Sequence, residues 1–205
     1  MSELGAPAVD ASHPSALEQA IAVLEGGGTV VLPTDTVYGL AALPTRDGAT
    51  RDLFALKDRA ADHPLAVLVA DLDQALELVE FDLPEVGRWM AELWPGPLTI
   101  VLRRSAVAAA LDLGGDASTI GVRCPDHPFL RALAAEVGPI ATTSANRTGD
   151  PTPPTAHAAA ASLVGPVDLV VDGGPAGAAA STVVDATSVP WRVLRVGAIT
   201  ADRLA

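Results

Sequence analysis

Two cations, Lys57 and Arg59, stand two residues apart in this sequence and are its first candidates for chemistry. Lys57 is the only lysine, because every other residue in the combined count of 13 Lys and Arg is an arginine. A lysine presents a compact point charge and an arginine a planar fork of donors, so such a pair can bind different oxygens of one phosphate chain. An isolated pair of this kind is usually an exposed surface feature, but the polar motifs elsewhere in the chain favour the phosphate interpretation.

Hydroxyl-bearing and cationic side chains follow several apolar, strand-like stretches. Taken singly, Ser and Thr at such places usually form turns or helix caps, and the arginines could be structural or exposed. Together they predict a cleft with many hydrogen-bond donors, several cations and few candidate bases, which suits an anionic ligand held by positioning and electrostatics. In chain order these residues are Thr34, Thr36, Arg123, Ser144, Asn146, Ser181, Thr182 and Arg195.

Other chemistries lack their sequence patterns. The chain has neither a G-x-x-x-x-G-K-[ST] phosphate loop nor a G-x-G-x-x-G turn after a strand, and Ser144 lies in no G-x-S-x-G elbow that would make it a nucleophile. Cys124 and His127 have C-x-x-H spacing, but one such pair is insufficient for a zinc site. We therefore predict no protein metal site and interpret these two residues as partly buried near a turn.

Composition indicates a globular protein with a core of small aliphatic side chains. Of the 205 residues, 49% are hydrophobic but only 3% are aromatic, and the formal net charge is -12. Such an acidic chain disfavours a broad nucleic-acid surface, which needs clustered Lys and Arg, although it allows a small basic pocket. The single cysteine excludes an intramolecular disulfide. The N-terminus lacks the features of a signal peptide. No apolar run reaches the ~18 residues that a membrane-spanning helix needs. A soluble, cytoplasmic protein is expected.

The order of predicted elements indicates one α/β domain. We expect residues 1–14 to be a flexible leader and residues 15–205 to form the catalytic domain, with a capping box from Ser15 to Glu18 opening a helix that ends at Gly26. Helices and strands do not alternate strictly, so a mixed sheet is expected rather than a doubly wound one, with the ligand at the carboxyl ends of strands. Strands are predicted at 29–32, 64–69, 98–102, 119–123, 139–142, 167–171, 181–184 and 193–196, and further helices at 47–57, 72–79, 86–93 and 129–137.

The ordered motifs resemble the YrdC-type threonylcarbamoyl-AMP synthase family, in its short, single-domain form. The segment 27–40, with the core Pro-Thr-Asp-Thr-Val-Tyr-Gly-Leu, resembles the family's N-terminal signature closely, and the remaining motifs follow in the family's order. Those motifs are Lys57-x-Arg59 before Pro64-Leu65, Trp94-Pro95-Gly96-Pro97-Leu98-Thr99, Val122-Arg123 before Pro125-x-His127-Pro128, Ser144-Ala145-Asn146, Asp172-Gly173-Gly174, Ser181-Thr182-Val183 and Leu194-Arg195-x-Gly197.

This resemblance implies a twisted mixed β-sheet, flanked by helices, around a deep and positively lined cleft. It implies the conversion of L-threonine, bicarbonate and ATP to L-threonylcarbamoyladenylate and pyrophosphate, which supplies the threonylcarbamoyl modification of adenosine 37 in tRNA. Mg2+ would enter with ATP, carried mainly by the phosphates. A separate threonylcarbamoyl-transferase complex acting on tRNA would be the partner, with weak or indirect contact of this chain to tRNA and none to a membrane.

The same resemblance assigns roles to individual residues. Lys57 and Arg59 would be the catalytic cations that neutralise the nucleotide phosphates, and Arg123 would bind the carboxylate of threonine. The segment 148–155, rich in Pro and Thr, is the candidate lid. ATP would be bound by Lys57, Arg59, His63, Thr119, Ser144, Asn146, Thr152 and Arg195, and threonine by Thr36, Arg123, Thr142 and Ser181.

Several positions depart from the family pattern and leave alternatives open. Ala60, Thr143 and Val196 stand where prolines are usual, Ala180 where glutamate is frequent, and His63 and Leu68 where asparagine and histidine are common. One alternative is therefore a paralogue with the same fold and a different acceptor. A second is an RNA-binding or ribosome-associated module, which the net charge of -12 disfavours. A third is a carbamoyl-transfer domain like that of hydrogenase-maturation proteins, whose zinc-finger and acylphosphatase neighbours this sequence lacks.

Overall fold

A computed structural model describes residues 6–177 and 179–205, which form a mixed β-sheet covered by helices. The strands are β1 (Ala8–Asp10), β2 (Val30–Leu32), β3 (Gly39–Ala42), β4 (Ala66–Leu68), β5 (Val79–Glu80), β6 (Leu98–Arg104), β7 (Thr119–Arg123), β8 (Ile140–Ser144), β9 (Leu169–Asp172), β10 (Thr182–Asp185) and β11 (Arg192–Arg195). The helices are α1 (Ala16–Glu25), α2 (Ala49–Lys57), α3 (Leu72–Leu78), α4 (Pro84–Leu93), α5 (Pro128–Val137) and α6 (Ala156–Ala161), with short 3-10 turns at Ala108–Ala110 and Ala201–Leu204. In the described ranges no helix has the length and apolar character to cross a bilayer.

One twisted sheet contains all eleven strands, in the order β1-β9-β2-β3-β8-β4-β7-β6-β10-β11, with β5 paired to β6. The pairs β1–β9, β2–β9, β4–β7 and β6–β10 are parallel, and the others are antiparallel. The mixed sheet expected from the sequence is therefore confirmed. Every predicted strand is present within a few residues, whereas β1, β3, β5 and α6 were not predicted.

Alternating side chains of the sheet divide the core into two layers. In β4, Val67 belongs to a large core that also contains Trp89 of α4, while Leu68 belongs to a smaller core beneath α1 and α5. Successive side chains of a strand point to opposite faces, so the two cores lie on opposite faces of the sheet. Helices α1 and α5 pack against each other, and their residues Leu24 and Leu130 are fully buried.

The first helix begins without the predicted capping box. Ser15 adopts right-handed helical angles, φ -91° and ψ 0°, and its side chain caps no backbone N–H. Its hydroxyl instead accepts a hydrogen bond from Nε2 of Gln19 at 2.7 Å. An N-cap residue normally has extended angles that aim its side chain at the first turn, and Ser15 lacks them. Asp71, in contrast, caps α3, since its carboxylate accepts from the Gln74 N–H at 2.9 Å.

Part of the predicted N-terminal leader is a strand of the sheet. Residues 8–10 form β1 and pair in parallel with β9, with Ala8 opposite Val170, and the Ala11 N–H donates to the Asp172 carbonyl at 2.7 Å. A sheet edge can recruit any extended segment through its backbone groups, which is why the composition of this stretch did not indicate a strand. The first five residues of the predicted leader lie outside the described residues.

Candidate active site

A cavity of about 430 Å3 lies on the part of the sheet that α1 and α5 leave uncovered. Leu68 belongs to the core beneath these helices and also lines the cavity, so the cavity continues the same face of the sheet. Its floor is built by residues at every second position of three strands. They are Ala66 and Leu68 of β4, Thr99 and Val101 of β6, and Thr119, Gly121 and Arg123 of β7. The candidate site therefore lies across the face of the sheet as well as at the ends of strands.

Most of the residues predicted for the site line this cavity. The exceptions are Lys57, His63, Asn146 and Thr182. The cations of the lining are Arg59, Arg123 and Arg195, and none of the lining residues is acidic. Three guanidinium groups in one apolar-walled cavity create a strong attraction for an anion. The predicted residues that line it are Thr36, Arg59, Thr119, Arg123, Thr142, Ser144, Thr152, Ser181 and Arg195.

Arg123 is held on three sides by the protein. Its Nε donates to the Gly96 carbonyl at 3.0 Å, its Nη1 donates to Oγ1 of Thr36 at 2.9 Å, and its Nη2 pairs with Asp35. Burial lowers the pKa of Arg123, and the Asp35 carboxylate opposes that shift. An arginine keeps its charge under such conditions, so Arg123 presents a fixed cation with donors left for a ligand.

The loop after β2 is stabilised by its own hydroxyl groups. Thr34 donates through Oγ1 to the Val37 carbonyl at 2.7 Å and also contacts Oγ1 of Thr36 at 2.9 Å. Tyr38, which follows, donates through its hydroxyl to the Gly174 carbonyl at 2.5 Å, and burial raises the pKa of this phenol. These bonds connect the loop to the turn after β9 and fix the position of Thr36 in the cavity wall.

Arg195 reaches the cavity from the edge strand β11. Its Nε and Nη2 both donate to the Ser181 carbonyl, at 3.0 and 2.9 Å, and Nη2 also donates to Oγ of Ser181 at 3.0 Å. Ser181 in turn shares a hydrogen bond with Oγ1 of Thr99 at 2.9 Å. Burial lowers the pKa of Arg195. The three residues form a continuous polar strip along the cavity.

Arg59 is a partly desolvated cation in the opposite wall. Its Nη1 donates to Oγ1 of Thr143 at 3.0 Å and its Nη2 to the Pro64 carbonyl at 3.0 Å. Its Nε is buried and has no hydrogen-bond partner in the part of the chain that is described. Burial also lowers the pKa of this arginine. A buried donor without a partner costs free energy. Arg59 also lines the cavity, so its guanidinium can bind a ligand oxygen there.

Lys57 lies behind the cavity wall instead of in it. Only 2% of the residue is exposed, and Nζ donates to the carbonyls of Ser144 and Asn146, both at 2.5 Å, and to Oδ1 of Asn146 at 3.1 Å. Burial, with a smaller effect from Arg59, lowers the pKa of Lys57 to about 8. Since these oxygens occupy its three donors, Lys57 and Asn146 organise the turn that presents Ser144. Neither residue lines the cavity, and the ATP contacts predicted for them stay predictions.

His63 also differs from the prediction. Its side chain is 70% exposed, its Nδ1 lies 2.9 Å from Asp62, and it does not line the cavity. The loop that carries it follows Arg59 and turns its side chain toward solvent. The predicted ATP contact of His63 is therefore absent from the described geometry.

Several residues of the site were not predicted from the sequence. Thr99 is buried in the cavity floor, Thr143 accepts the bond from Arg59, and Asp35 pairs with Arg123. Thr99 could have been recognised, because it is a polar residue within the otherwise apolar strand Leu98–Leu102. Asp35 gave less signal, since aspartate beside threonine is a common turn composition.

The lining chemistry favours binding and positioning over proton transfer. Its described residues provide arginines, aliphatic hydroxyls, the Tyr38 phenol and aliphatic groups but no Asp, Glu, His, Cys or Lys. Nor do residues 6–177 and 179–205 contain a cluster of three or more His, Cys, Asp or Glu side chains suited to a metal ion. Such a site can neutralise an anionic substrate and align its reacting groups.

Comparisons with known proteins place this chain in a family. The model of the Sua5/YciO/YrdC family, described as "Telomere recombination", matches residues 22–197. A threonylcarbamoyl-AMP synthase from Pyrococcus abyssi is 38% identical over 181 residues, covering 87% of this chain and 53% of the relative, and one from Bacillus subtilis is 38% identical over 191 residues, covering 92% and 55%. The chain thus spans about half the length of these two relatives. The human threonylcarbamoyl-AMP synthase is 35% identical over 209 residues, covering 94% of this chain and 73% of the relative.

Solved structures share the fold. The crystal structure of Pyrococcus abyssi Sua5 complexed with L-threonine has a TM-score of 0.84 and 35% identity, and the match covers 92% of this chain and 56% of that one. Escherichia coli YciO has a TM-score of 0.85 and 26% identity, with 100% of both chains covered. Motif order, family match and fold agree, and the chain belongs to the Sua5/YciO/YrdC family.

Proposed function

We propose that this protein is an L-threonylcarbamoyladenylate synthase. L-threonine, bicarbonate and ATP would give threonylcarbamoyl-AMP, pyrophosphate and water. The observation that carries the proposal is a cavity with three arginines, many hydroxyls and, among its described residues, no Asp, Glu, His, Cys or Lys, in a chain 35–38% identical to proteins named for this reaction. All three substrates carry an anionic group, namely the carboxylate of threonine, bicarbonate itself and the phosphates of ATP, and the reaction needs them aligned.

The chemistry requires no protein nucleophile. The amine of threonine combines with the carbon of bicarbonate, losing water, to give a carbamate. A carbamate oxygen then forms a bond to the α-phosphorus of ATP, and the bond between that phosphorus and the bridging oxygen breaks as pyrophosphate leaves. Because the carbamate is already an anion, this step needs no base. The protein supplies alignment and exclusion of water.

Threonine would bind at the Arg123 end of the cavity. Arg123 is fixed by Thr36, Asp35 and Gly96, and its remaining donors suit a carboxylate. Thr142 and Ser181 line the same cavity and would bind the other polar groups of the amino acid. The related Sua5 structure is a complex with L-threonine, which supports threonine as a substrate of this protein.

ATP would bind where Arg59 and Arg195 approach the cavity from opposite walls. The guanidinium groups of Arg59 and Arg195 both line the cavity and would bind phosphate oxygens. Thr119, Ser144 and Thr152 also line this region and would complete the nucleotide site. Lys57 and Asn146 would contribute through the turn that they stabilise.

Mg2+ would arrive with the nucleotide. The lining offers hydroxyls but no carboxylate, and Mg2+ often binds through substrate phosphates with few protein ligands. The residues present fit an ion held by phosphate oxygens, with hydroxyls such as Ser144 and Thr119 beside it. When bound, it would offset part of the triphosphate charge.

The product would pass to a separate transferase that modifies tRNA adenosine 37 in the cytoplasm. A net charge of -12 makes extensive direct contact with tRNA unfavourable. We therefore propose that contact with tRNA is weak or indirect.

Pyrophosphate release by the purified protein tests the proposal. The assay contains ATP, Mg2+, bicarbonate and L-threonine, with parallel reactions lacking threonine or run in CO2-free buffer, and mass spectrometry identifies the adenylate. Threonine- and bicarbonate-dependent release is expected. ATP binding without it would contradict the proposal in favour of another acceptor, and salt-dependent RNA binding without ATP binding would favour an RNA-binding protein.

A further inference from the structure

Thr99 and Ser181 form a buried pair of hydroxyl groups on the cavity floor. Their oxygens lie 2.9 Å apart, the residues are 5% and 7% exposed, and both line the cavity. Thr99 belongs to β6 and Ser181 immediately precedes β10, and the parallel pairing of these strands sets Thr182 opposite Leu98. The distance between the hydroxyls is therefore fixed by the sheet.

A count of protons shows that this pair has one left to donate. Each hydroxyl has one proton and two lone pairs. Oγ of Ser181 also accepts from Nη2 of Arg195 at 3.0 Å, and the bond between the two hydroxyls consumes one proton, whichever of them donates. In residues 6–177 and 179–205 no further acceptor bonds to either hydroxyl. The second proton is available to a ligand.

The charges around the pair favour an anionic ligand. Burial lowers the pKa of Arg123, Asp35 opposes this shift, and the charge of Arg195 adds to the lowering. The two guanidinium groups therefore repel each other across the cavity, and only Arg123 has a carboxylate partner among its hydrogen bonds. An oxyanion between them would relieve the repulsion and accept the free hydroxyl proton.

We propose that Thr99 is a substrate-positioning residue that acts as a unit with Ser181, and that the pair donates one hydrogen bond to an anionic oxygen of the substrate. This inference rests on the proposed function. The oxygen belongs either to the carboxylate of L-threonine or to the carbamate formed from it. When Thr99 donates to Ser181, both lone pairs of Oγ are occupied and its proton points to the ligand; when Ser181 donates, the proton of Thr99 does so.

Three variants separate this role from packing. Thr99→Val keeps the shape but removes the hydroxyl, and Thr99→Ser keeps the hydroxyl. The control is Thr50→Val, because Thr50 is a fully buried threonine that donates to Oδ2 of Asp112 at 2.9 Å and does not line the cavity. A hydrogen bond to a charged group predicts a loss of about tenfold in kcat/KM for threonine in Thr99→Val. Thr99→Ser and Thr50→Val are expected to stay within about twofold of the wild type, because both retain the hydroxyl pair.

Two measurements on each variant identify the oxygen. Calorimetric binding of L-threonine in CO2-free buffer reports on the carboxylate alone, and pyrophosphate release with bicarbonate reports on the carbamate. Weaker threonine binding in Thr99→Val assigns the bond to the carboxylate. Normal binding with a lower kcat assigns it to the carbamate. Either result supports the inference, and thermal melting verifies that each variant is folded.

Three other outcomes would contradict the role proposed for Thr99. If Thr99→Val matches the wild type in both measurements, Thr99 does not position substrate, although the proposed function stands. If Thr99→Ser loses as much as Thr99→Val, the effect is one of shape and not of the hydroxyl. If the wild type itself releases no pyrophosphate in response to threonine, the proposed function fails and the inference fails with it.

Discussion

Arg123 and Asp35 form an ion pair inside the protein, with side chains only 6% and 13% exposed. Gly96 and Thr36 accept from the same guanidinium at 3.0 and 2.9 Å. The pair fixes the direction in which Arg123 presents its remaining donors to the cavity. It also means that an incoming carboxylate meets a cation whose charge is already partly compensated, so affinity for that carboxylate depends on Asp35.

Replacing Asp35 with Asn should destabilise the protein and strengthen its response to threonine. Asn keeps the shape but leaves the Arg123 charge without a buried partner, which costs about 3 kcal/mol of unfolding free energy. A bound carboxylate would replace the lost charge, and ligands that bind only the folded state stabilise it. Urea unfolding with and without L-threonine is expected to give a larger stabilising increment in Asp35→Asn than in the wild type.

Asp185→Asn provides the matched control for this experiment. Asp185 is also buried and pairs with an arginine, Arg192, but that arginine is 71% exposed and lies outside the cavity lining. Its replacement should leave the threonine increment unchanged. A smaller increment in Asp35→Asn than in the wild type would indicate that Asp35 binds the ammonium group of threonine, against the relationship argued here.

The sequence predicted the strands of the site better than its location. Runs such as Leu98–Leu102 and Thr119–Arg123 have a clear apolar pattern, and both strands are present. The expectation that ligands bind at strand ends was incomplete, because Thr99, Thr119 and Gly121 lie on the face of the sheet. That face is open because α1 and α5 cover only part of it, and helix coverage is a tertiary property that periodicity does not reveal.

The roles of the two neighbouring cations could not be separated from the sequence. Lys57 ends α2 and Arg59 follows a left-handed residue, Asp58, with φ 52°. That turn directs Lys57 toward the carbonyls of Ser144 and Asn146 and Arg59 toward the cavity. Their spacing indicated a shared ligand, but the conformation of Asp58 depends on tertiary contacts that the motif does not encode.

Arg59→Ala should impair use of ATP while the fold persists. Among the described residues the guanidinium donates to two protein groups, Thr143 and the Pro64 carbonyl, and it lines the cavity where we assign the phosphates. Loss of a charge-assisted bond predicts a rise of about tenfold or more in KM for ATP. Steady-state kinetics with ATP as the varied substrate measure it.

The control for this variant is Arg103→Ala, which removes an arginine from an exposed pair with Asp82. Exposed pairs contribute little, about 0–1 kcal/mol, and Arg103 lies outside the cavity lining. Its kinetics should match the wild type. An Arg59→Ala enzyme with unchanged KM and kcat would remove Arg59 from the nucleotide site.

Gly121→Val should reduce activity without loss of stability. A Cβ at Gly121 would lie 3.5 Å from Cγ2 of Thr99 and 3.8 Å from Cγ2 of Val101, which are ordinary contacts. Valine favours strands more than glycine does, but its methyl groups would enter the cavity floor. We expect an unchanged or higher melting temperature and at least a roughly tenfold loss of kcat/KM for ATP and for threonine. The valine side chain would occupy space that the substrates need, which weakens binding as overpacking does.

Gly87→Ala is the corresponding control, because Gly87 is an exposed helical residue whose added methyl group meets nothing within 4 Å. It should gain about 0.5–1 kcal/mol of stability and keep full activity. Normal turnover in a folded Gly121→Val protein would show that substrates do not use the floor of this cavity.

The single lysine allows a direct titration of the turn behind the active site. Protein labelled with 13C-lysine gives one side-chain signal, which belongs to Lys57, and the midpoint of its shift against pH reports the pKa. Burial is expected to place that midpoint near 8 instead of the ordinary 10.5. A neutral amine has two N–H donors, whereas the ammonium group has three. Deprotonated Lys57 therefore loses its hydrogen bond to one of the oxygens of Ser144 and Asn146. Because this disturbs the turn, turnover should fall above pH 8.

Deprotonation of Lys57 should raise the stability of the folded protein even though it lowers turnover. Below pH 8 the folded and unfolded states both carry the proton, whereas between pH 8 and 10.5 only the unfolded state binds it. Stability rises with pH wherever the unfolded state binds more protons, so the unfolding free energy of the wild type should increase across this window relative to Lys57→Met. A midpoint at 10.5 or above would show that the three accepting oxygens outweigh burial, and the turn would then hold its geometry throughout the alkaline range.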